Sequence, residues 1–231
     1  MKQNDKAIFL HRINYSESSL IVTFYTFESG IQKFIFQGGK KKSQSLFPLS
    51  LCDIHYYRRP DSELGKLTDA FPYEMLHTIS TNPMKSTLAY FMVDVLKQCL
   101  QTDQSDPALF SFVEKRIISL NKETDLTLFG VQFLIEFAKH MGIEPSVEEE
   151  NKRFFHLQDG EFSDFSRKGE LVAEGENVGL IQSLLRKEKP TSISKKVRHE
   201  ALITMIEYYK LHTPRFDVEK SLEIIHEILY T

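Results

Sequence analysis

Three consecutive lysines, Lys40, Lys41 and Lys42, follow two glycines in the segment GGKKK at residues 38–42. Residues 1–80 contain ten Lys/Arg and eight Asp/Glu, whereas residues 81–231 contain nineteen and twenty-four, so the cluster lies in the more basic part of the chain. Lysine ammonium groups bind phosphates as point charges, and nucleic acid is the commonest polyanion that such a segment meets. A solvated loop is the alternative interpretation of the same charge run.

Other basic and aromatic residues of the first 60 positions extend this candidate DNA-binding site. Arg12 and Lys33 lie on two predicted strands, and Arg58 ends a third. Tyr56 and Tyr57 are adjacent, so at most one of them points into a core, and we take Tyr57 as the candidate for stacking on bases. Cationic grooves combined with stacking aromatics are typical of proteins that bind single strands.

The first 72 residues must supply the scaffold for these side chains, and their pattern is that of β-strands. Apolar residues alternate at Leu20, Val22 and Phe24, and Gly30 in the turn ESG can take a positive φ. A second turn is predicted at Pro60-Asp61. The predicted strands cover residues 6–14, 19–27, 31–37, 46–58 and 64–71. Five short strands in about 70 residues favour a small closed barrel of the OB-fold type.

From Pro72 onward the apolar period becomes helical, so the predicted fold class is α+β, with a barrel domain at 1–78 and a mainly helical domain at 79–231. Thr124 is a predicted N-cap, and Asp217 is predicted to cap the last helix. Residues 144–176 interrupt the helices with a predicted hairpin at Asp159-Gly160. The predicted helices follow the apolar stripes at 84–99, 109–120, 126–137, 177–187, 194–212 and 218–229.

A second basic zone lies near the C-terminal end of the sequence. Its candidate partner-binding residues are Lys195, Lys196, Arg198, Lys210 and Arg215. This zone could extend a DNA track, receive an acidic peptide beside an apolar groove, or keep an amphipathic helix in solution. The residues alone leave all three interpretations open.

Several classes of protein lack support in this sequence. It has no glycine-rich nucleotide loop, no HExxH, no GxSxG and no CxxC pair, so we expect neither an enzyme nor a cofactor. Its two cysteines lie far apart, which predicts no disulfide. No apolar run approaches the length of about 18 residues that a membrane helix needs, and the N-terminal apolar run of four is too short for a signal peptide. We therefore expect a cytosolic protein without membrane contact.

The chain resembles the RecO family of bacterial recombination-mediator proteins over nearly its whole length. The similarity is carried by AIFLHRINYSESSLIVTFYT at 7–26, ESGIQKFIFQGGKKKSQSLFPL at 28–49, and RHEALITMIEYYKLHTPRFDVEKSLEIIHEIL at 198–229. The resemblance implies an N-terminal OB-fold on a helical domain, and binding and annealing of single-stranded DNA. It also implies recombinase loading on strands coated by single-stranded-DNA-binding protein, with that protein's acidic C-terminal tail and RecR as partners.

One departure from the family concerns metal. Many members carry four zinc-binding cysteines in the segment that corresponds to 144–176, and here that segment has none. Metal is therefore not expected, and the hairpin must be held by its apolar residues, Phe154, Phe155, Leu157 and Phe162.

Two alternatives to the function implied by the resemblance remain. The chain could be a protein-interaction scaffold with incidental DNA contact, or an enzyme with an accessory OB-fold.

Overall fold

The computed structural model describes residues 2–59, 62–102, 104–148, 150–166 and 168–230, without the side chain of Tyr230. The predicted turn at Pro60-Asp61 lies outside these residues. The chain forms two compact units, Met1–Glu123 and Thr124–Thr231. The first unit contains the barrel together with the helices that follow it, so it extends past the boundary predicted at residue 78. Within the described residues, no helix has both the length and the apolar composition needed to cross a bilayer.

The first unit is built on a closed five-stranded barrel, which confirms the OB-fold prediction. The strands are β1 Lys2–Asn14, β2 Leu20–Thr26, β3 Gly30–Phe36, β4 Leu51–Tyr57 and β5 Gly65–Pro72. Their order around the barrel is β1-β2-β3-β5-β4. The β3–β5 pair is parallel, and the other pairs are antiparallel. Full closure leaves no unpaired sheet edge.

The barrel core follows from the alternation of side chains along each strand. Phe24, Phe34 and Tyr56 point inward and are buried. The Phe24 and Phe34 ring centroids lie 6.2 Å apart, and those of Phe34 and Tyr56 lie 4.9 Å apart. Each such ring buries enough apolar surface to stabilise the fold by roughly 1.5–3 kcal/mol. Tyr57, the next residue, is 46% exposed, which confirms that only one of the two tyrosines points inward.

The predicted strand at 46–58 is too long, because β4 begins only at Leu51. Pro48 has no backbone N–H to donate, and Leu49 takes a left-handed φ of 69°. The chain turns here, with the Leu49 N–H donating to the Phe9 carbonyl over 2.8 Å. The segment before β4 therefore closes against β1 as a turn.

Three helices complete the first unit: α2 His77–Thr81, α3 Pro83–Cys99 and α4 Pro107–Lys122; a shorter helical turn, α1 Gly39–Lys42, precedes β4. Asn82 and Asp106 cap α3 and α4 through their side-chain oxygens, and each is followed by proline at the first helical position. Buried Lys85 donates from Nζ to the Asn121 carbonyl over 2.7 Å and to Thr78 Oγ1 over 3.0 Å. The bond to Asn121 gives a partner to a carbonyl in the last turn of α4, where no backbone N–H of the helix is available.

The second unit combines helices with a small sheet: α5 Phe129–His140, β6 Phe154–His156, β7 Glu161–Ser163, β8 Val172–Glu174, α6 Glu176–Leu185, α7 Lys195–His212, α8 Glu219–Ile225 and a π-helical turn at His226–Tyr230. The antiparallel sheet has the order β7-β6-β8. The predicted hairpin at Asp159-Gly160 is confirmed by the β6–β7 pair, and Gly160 has φ +71°. The strand β8 was not predicted, since three residues carry no periodic signal.

Two predicted helix caps need correction. Thr124 does not cap α5, which begins at Phe129. Asp125 instead accepts hydrogen bonds from Thr127 N at 3.0 Å and from Thr127 Oγ1 at 2.7 Å, and this turn holds the segment out of helix. Asp217 lies one residue before the N-cap of α8, and its carboxylate accepts from Glu219 N.

The small sheet is packed by the apolar residues expected from the sequence. Phe155, Leu157 and Phe162 are buried, and the Phe155 and Phe162 rings stack at 4.4 Å. Phe154 is half-buried, with the Arg153 guanidinium 5.0 Å from its ring centroid. Both cysteines, Cys52 and Cys99, are buried thiols.

Asp5 should make the stability of the barrel depend on pH. Its side chain is buried at 8% exposure, and one oxygen accepts from Glu28 N over 3.1 Å. Burial raises the pKa of this carboxyl from 3.8 to about 6. The folded state thus holds the proton more tightly than the unfolded chain does. Stability is therefore expected to fall as the pH rises from about 4 to about 6, and to stay lower above that range.

The substitution Asp5→Asn keeps an oxygen that can accept from Glu28 N but cannot ionise. We expect it to raise the free energy of unfolding by roughly 1–3 kcal/mol at pH 7.5 and to change it little at pH 4. Urea unfolding of both proteins at pH 4, 5, 6 and 7.5 measures this difference. A constant difference between the two proteins across this range would show that Asp5 ionisation is not the cause.

Candidate nucleic-acid interface

The GGKKK segment forms one helical turn, α1, at the end of the barrel. Gly38 turns the chain away from β3 with φ +67°. Gly39 is buried, and a Cβ there would lie 3.1 Å from the side chain of Phe36, so the absent side chain lets the turn lie on the barrel. Lys40, Lys41 and Lys42 are all exposed. The turn presents three ammonium groups from a short, anchored backbone.

Arg12 fixes the position of this turn. Its Nη1 donates to the Ser43 carbonyl over 2.6 Å and lies 2.9 Å from Ser43 Oγ, directly after the lysines. The turn also meets the β1–β2 connection, where Lys40 N donates to the Ser18 carbonyl over 3.4 Å. The structure therefore gives Arg12 a positioning contact, and its contact with DNA stays a prediction.

Lys42 lies against the neighbouring strand β5. Its Nζ is 3.2 Å from the Thr68 carbonyl and 5.6 Å from the Phe36 ring centroid. Thr68 directly follows the last residue pair of β3 with β5, Phe36 with Leu67, so its carbonyl is open to a side chain. The contact is exposed, and we expect a phosphate to compete for the same ammonium group.

Outward-pointing residues in direct cross-strand register form a second feature, which we call the outer band. Successive pairs join Ile13 to Ile21, Ile21 to Ile35, Ile35 to Lys66, Lys66 to Tyr57 and Tyr57 to Lys2. The members of the outer band are Ile13, Ile21, Ile35, Lys66, Tyr57 and Lys2.

The outer band crosses all five strands and is accessible along its length. Ile13 is 54% exposed, Tyr57 is 46% exposed, and Lys66 and Lys2 are exposed. Directly paired residues place their Cβ atoms roughly 4.5–5.5 Å apart. Tyr57 thus has a lysine as its cross-strand neighbour on each side, beside an aliphatic surface.

Lys33 lies on the same outer face, in the next row. It pairs with Thr23, which in turn pairs with His11. Burial lowers the pKa of His11, and the nearby charges of Lys97 and Lys33 lower it further. The structure therefore places both Lys33 and Lys97 of α3 near His11, and Lys97 is a cation that the sequence did not connect with the barrel.

Arg58 supports the connection that follows Tyr57. Its Nε donates to the Ser62 carbonyl over 3.0 Å, and its side chain is half-buried. The two aromatic residues of β3, Phe34 and Phe36, are buried in the core and are therefore not available for stacking on bases. Sequence reasoning missed Lys66 and Lys2. The period of two along the predicted strand 64–71 already placed Lys66 on the outer side of the barrel, whereas Lys2 lies before the predicted strand 6–14.

The basic zone of the second unit is largely balanced by acids. Lys196 lies 3.7 Å from Glu200, and the Lys210 Nζ lies 2.9 Å from Glu207 and 3.5 Å from Glu219. The hydrogen bond that Lys210 donates to Glu207 raises the pKa of Lys210. Lys195 and Arg215 are exposed. These four residues lie at surface positions, and the acids beside Lys196 and Lys210 weaken their attraction for a further anion.

Arg198 differs from its neighbours in this zone. It is half-buried, and its Nη1 donates to the Ile193 carbonyl over 3.1 Å. Its Nε is buried and has no hydrogen-bond partner among the described residues. The pKa of Asp125 is lowered by its hydrogen bonds with Thr127 and also by the charge of Arg198. Arg198 thus has a buried donor that the described residues leave unsatisfied.

The segment 144–176 does not fit the zinc site that the family resemblance implies. His156 is fully buried, with Nδ1 2.7 Å from Glu170 and Nε2 within 3.1 Å of Ser163 Oγ and the Phe165 carbonyl. Both ring nitrogens are therefore engaged by protein atoms. Across the described ranges, no group of three or more His, Cys, Asp or Glu could hold a metal ion.

Comparison with known proteins identifies the family of this chain. Residues 1–75 match the family model "Recombination protein O N terminal", and residues 80–222 match "Recombination protein O C terminal". DNA repair protein RecO of Christiangramia forsetii is 27% identical over 233 residues, covering 96% of this chain and 97% of that protein. DNA repair protein RecO of Phocaeicola vulgatus is 28% identical over 239 residues, covering 99% of each. The chain therefore belongs to the RecO family, whose role is in DNA repair and recombination.

Proposed function

We propose that the first unit binds single-stranded DNA along the outer band and the lysine turn α1. The protein anneals complementary strands and helps to load recombinase on strands coated by single-stranded-DNA-binding protein. It acts in the cytoplasm, at the nucleoid, and is not an enzyme. The observation that supports this proposal best is the unbroken register that sets Tyr57 between Lys66 and Lys2.

The chemistry of the outer band suits a flexible single strand. A base can stack on the exposed ring of Tyr57 while the ammonium groups of Lys66 and Lys2 contact the flanking phosphates. Ile21 and Ile35 offer apolar contact without hydrogen-bonding groups, so they do not distinguish one base from another. Annealing requires this kind of binding, because the Watson–Crick edges must stay open to a second strand.

The DNA-binding proposal is tested by the variant Tyr57→Ala in a fluorescence anisotropy titration with a mixed-sequence single-stranded oligonucleotide. Loss of one stacking partner is worth about 1–3 kcal/mol, so we expect roughly tenfold weaker binding. Tyr90→Ala is the matched control, since Tyr90 is 57% exposed on α3 of the same unit and lies outside the outer band. If the two variants bind the oligonucleotide with equal affinity, the outer band does not bind DNA through Tyr57.

A protein-interaction scaffold is the second candidate function, supported by two exposed apolar side chains at one end of the barrel, Ile13 at 54% and Tyr15 at 59%. The salt dependence of binding distinguishes the two candidate functions. DNA binding through phosphates weakens steeply as salt rises, whereas an apolar protein contact does not. The same titration at two salt concentrations decides between them.

The second unit is proposed to bind the acidic C-terminal tail of single-stranded-DNA-binding protein, and RecR is proposed as a further partner. The buried Nε of Arg198, without a partner in the described residues, supports a carboxylate site there. A terminal carboxylate would receive a charge-assisted hydrogen bond from Arg198, and its apolar side chain would pack nearby. Arg215, exposed and in a left-handed conformation, is the second candidate for this site.

Charge reversal tests the tail site. We expect Arg198→Glu to weaken binding of a short acidic peptide with an apolar last residue and a free carboxylate by tenfold or more, with a smaller effect from Arg215→Glu. Lys139→Glu is the control, because Lys139 of the same unit is 63% exposed, already neighbours Glu144 and lies outside the candidate partner-binding residues. Calorimetric titration measures the affinities, and thermal unfolding verifies the fold. If both arginine reversals match the control, the pocket lies elsewhere in the chain.

A further inference from the structure

One buried histidine connects three parts of the segment 144–176. His156 lies on β6 and is fully buried. Its Nδ1 lies 2.7 Å from a carboxylate oxygen of Glu170. Its Nε2 lies 2.8 Å from Ser163 Oγ and 3.1 Å from the Phe165 carbonyl oxygen. Ser163 ends β7, and Phe165 and Glu170 belong to the connection from β7 to β8. The ring therefore joins β6 to β7 and to both ends of that connection.

The donors and acceptors of this cluster match one another. The Ser163 hydroxyl donates to the Phe165 carbonyl over 2.7 Å and accepts from the Phe165 N–H over 3.2 Å. Because a hydroxyl has only one proton, the His156 Nε2 that faces the same oxygen has to donate to it. Nδ1 then shares a proton with Glu170. A buried polar network stabilises a fold when every member has a partner, as both ring nitrogens have here.

The order of serine, histidine and carboxylate is that of a catalytic triad, but the proton on the serine is directed differently. In a triad the serine hydroxyl gives its proton to the histidine. Ser163 instead donates to a backbone carbonyl. His156 is also 0% exposed, so a substrate has no access to the ring. The cluster therefore has the properties of a structural network.

Other polar contacts attach the same segment to the helices of the second unit. Lys152 N donates to Gln182 Oε1 of α6 over 2.8 Å, and Gln182 Nε2 donates back to the Lys152 carbonyl over 2.9 Å. His212 Nε2 of α7 lies 2.9 Å from the Leu157 carbonyl. His156 thus fixes the small sheet internally, while Gln182 and His212 fix its position on the helices. A structural zinc ion has the first of these roles, because it fixes several chain positions around one point.

We infer that His156, with Ser163 and Glu170, replaces the zinc ion that the family resemblance implies for the segment 144–176. A structural zinc site needs four Cys or His ligands, and His156 is the only Cys or His in this segment. A ligand also needs a lone pair that no proton occupies, whereas Nε2 has to carry a proton in this network. The hydrogen bonds of His156 therefore hold the small sheet together without metal.

The test is hydrogen–deuterium exchange of the full chain, read by mass spectrometry of peptides, with and without EDTA. We expect EDTA to leave exchange in residues 153–165 unchanged. His156→Phe should raise the exchange rate there by roughly tenfold or more, because it leaves Ser163 and Glu170 without their buried partner. His140→Phe is the matched control, since His140 of α5 is exposed and lies outside the segment. Exchange in α5 should stay slow in both variants.

Milder variants keep the inference testable if His156→Phe fails to fold. Glu170→Gln preserves the shape of the side chain and Ser163→Ala removes only the hydroxyl, and each should speed exchange in residues 153–165 more than His140→Phe does. Faster exchange in EDTA, or one zinc per chain in protein purified without added zinc, would overturn the inference. Equal exchange in the His156, Ser163, Glu170 and His140 variants would overturn it as well. Labelling of Ser163 by a fluorophosphonate probe would assign the cluster to catalysis instead.

Discussion

Replacing Lys40, Lys41 and Lys42 together by alanine should weaken binding of single-stranded DNA roughly 100-fold at 0.1 M salt. Each phosphate that a lysine neutralises on a single strand contributes about 0.7 to the slope of log affinity against log salt. Three lost contacts therefore lower that slope by about 2. The effect is large because all three side chains are exposed and project from one anchored turn. Anisotropy titrations at several salt concentrations measure both quantities.

A charge-matched control separates local contact from net charge. Lys122, Lys139 and Lys189 are exposed and lie outside the barrel, and replacing them by alanine changes the net charge by the same amount. This control should leave the salt slope almost unchanged. If both triple variants show the same slope, the lysine turn binds no phosphates, and the proposed DNA site would be reduced to the outer band.

Gly30→Ala should lower the free energy of unfolding of the first unit by roughly 2–5 kcal/mol. Gly30 has φ +62°, which a residue with a Cβ adopts only at a cost. A Cβ at this position would also lie 2.6 Å from the backbone carbonyl oxygens of Gln101 and Gln104. Backbone atoms cannot turn aside as a flexible side chain can, so the β2–β3 hairpin or the segment before α4 must shift. Urea unfolding measures the loss.

The variant Gly38→Ala isolates the conformational part of this cost. Gly38 has nearly the same φ, +67°, and a Cβ there would meet nothing within 4 Å. We expect it to cost only about 1–2 kcal/mol, the penalty of the left-handed conformation alone. If the two substitutions lower the free energy of unfolding equally, the close contact with Gln101 and Gln104 does not contribute to the cost of Gly30→Ala.

The local periods of the sequence determined the architecture of this protein. Alternation with period two predicted five strands and their inward side, including the opposite directions of Tyr56 and Tyr57. Helical periodicity predicted the long helices, and Asp159-Gly160 predicted the hairpin of the small sheet. These features depend on residues close together in the chain, so their signals are readable without the fold.

The tertiary structure alone decided which of these residues become neighbours. Lys66 and Lys2 lie beside Tyr57 because of strand register, which is set by pairing between distant segments. The same long-range packing turned Arg12 into the support of the lysine turn.

Packing likewise determined how the charges of the second unit are used. Lys210 is balanced by Glu219 as well as by the nearby Glu207, and buried His156 is joined to Glu170 and Phe165. A charged or polar side chain in a sequence shows what it can bind. Whether it binds solvent, a partner or its own protein depends on which groups the fold brings within hydrogen-bond distance.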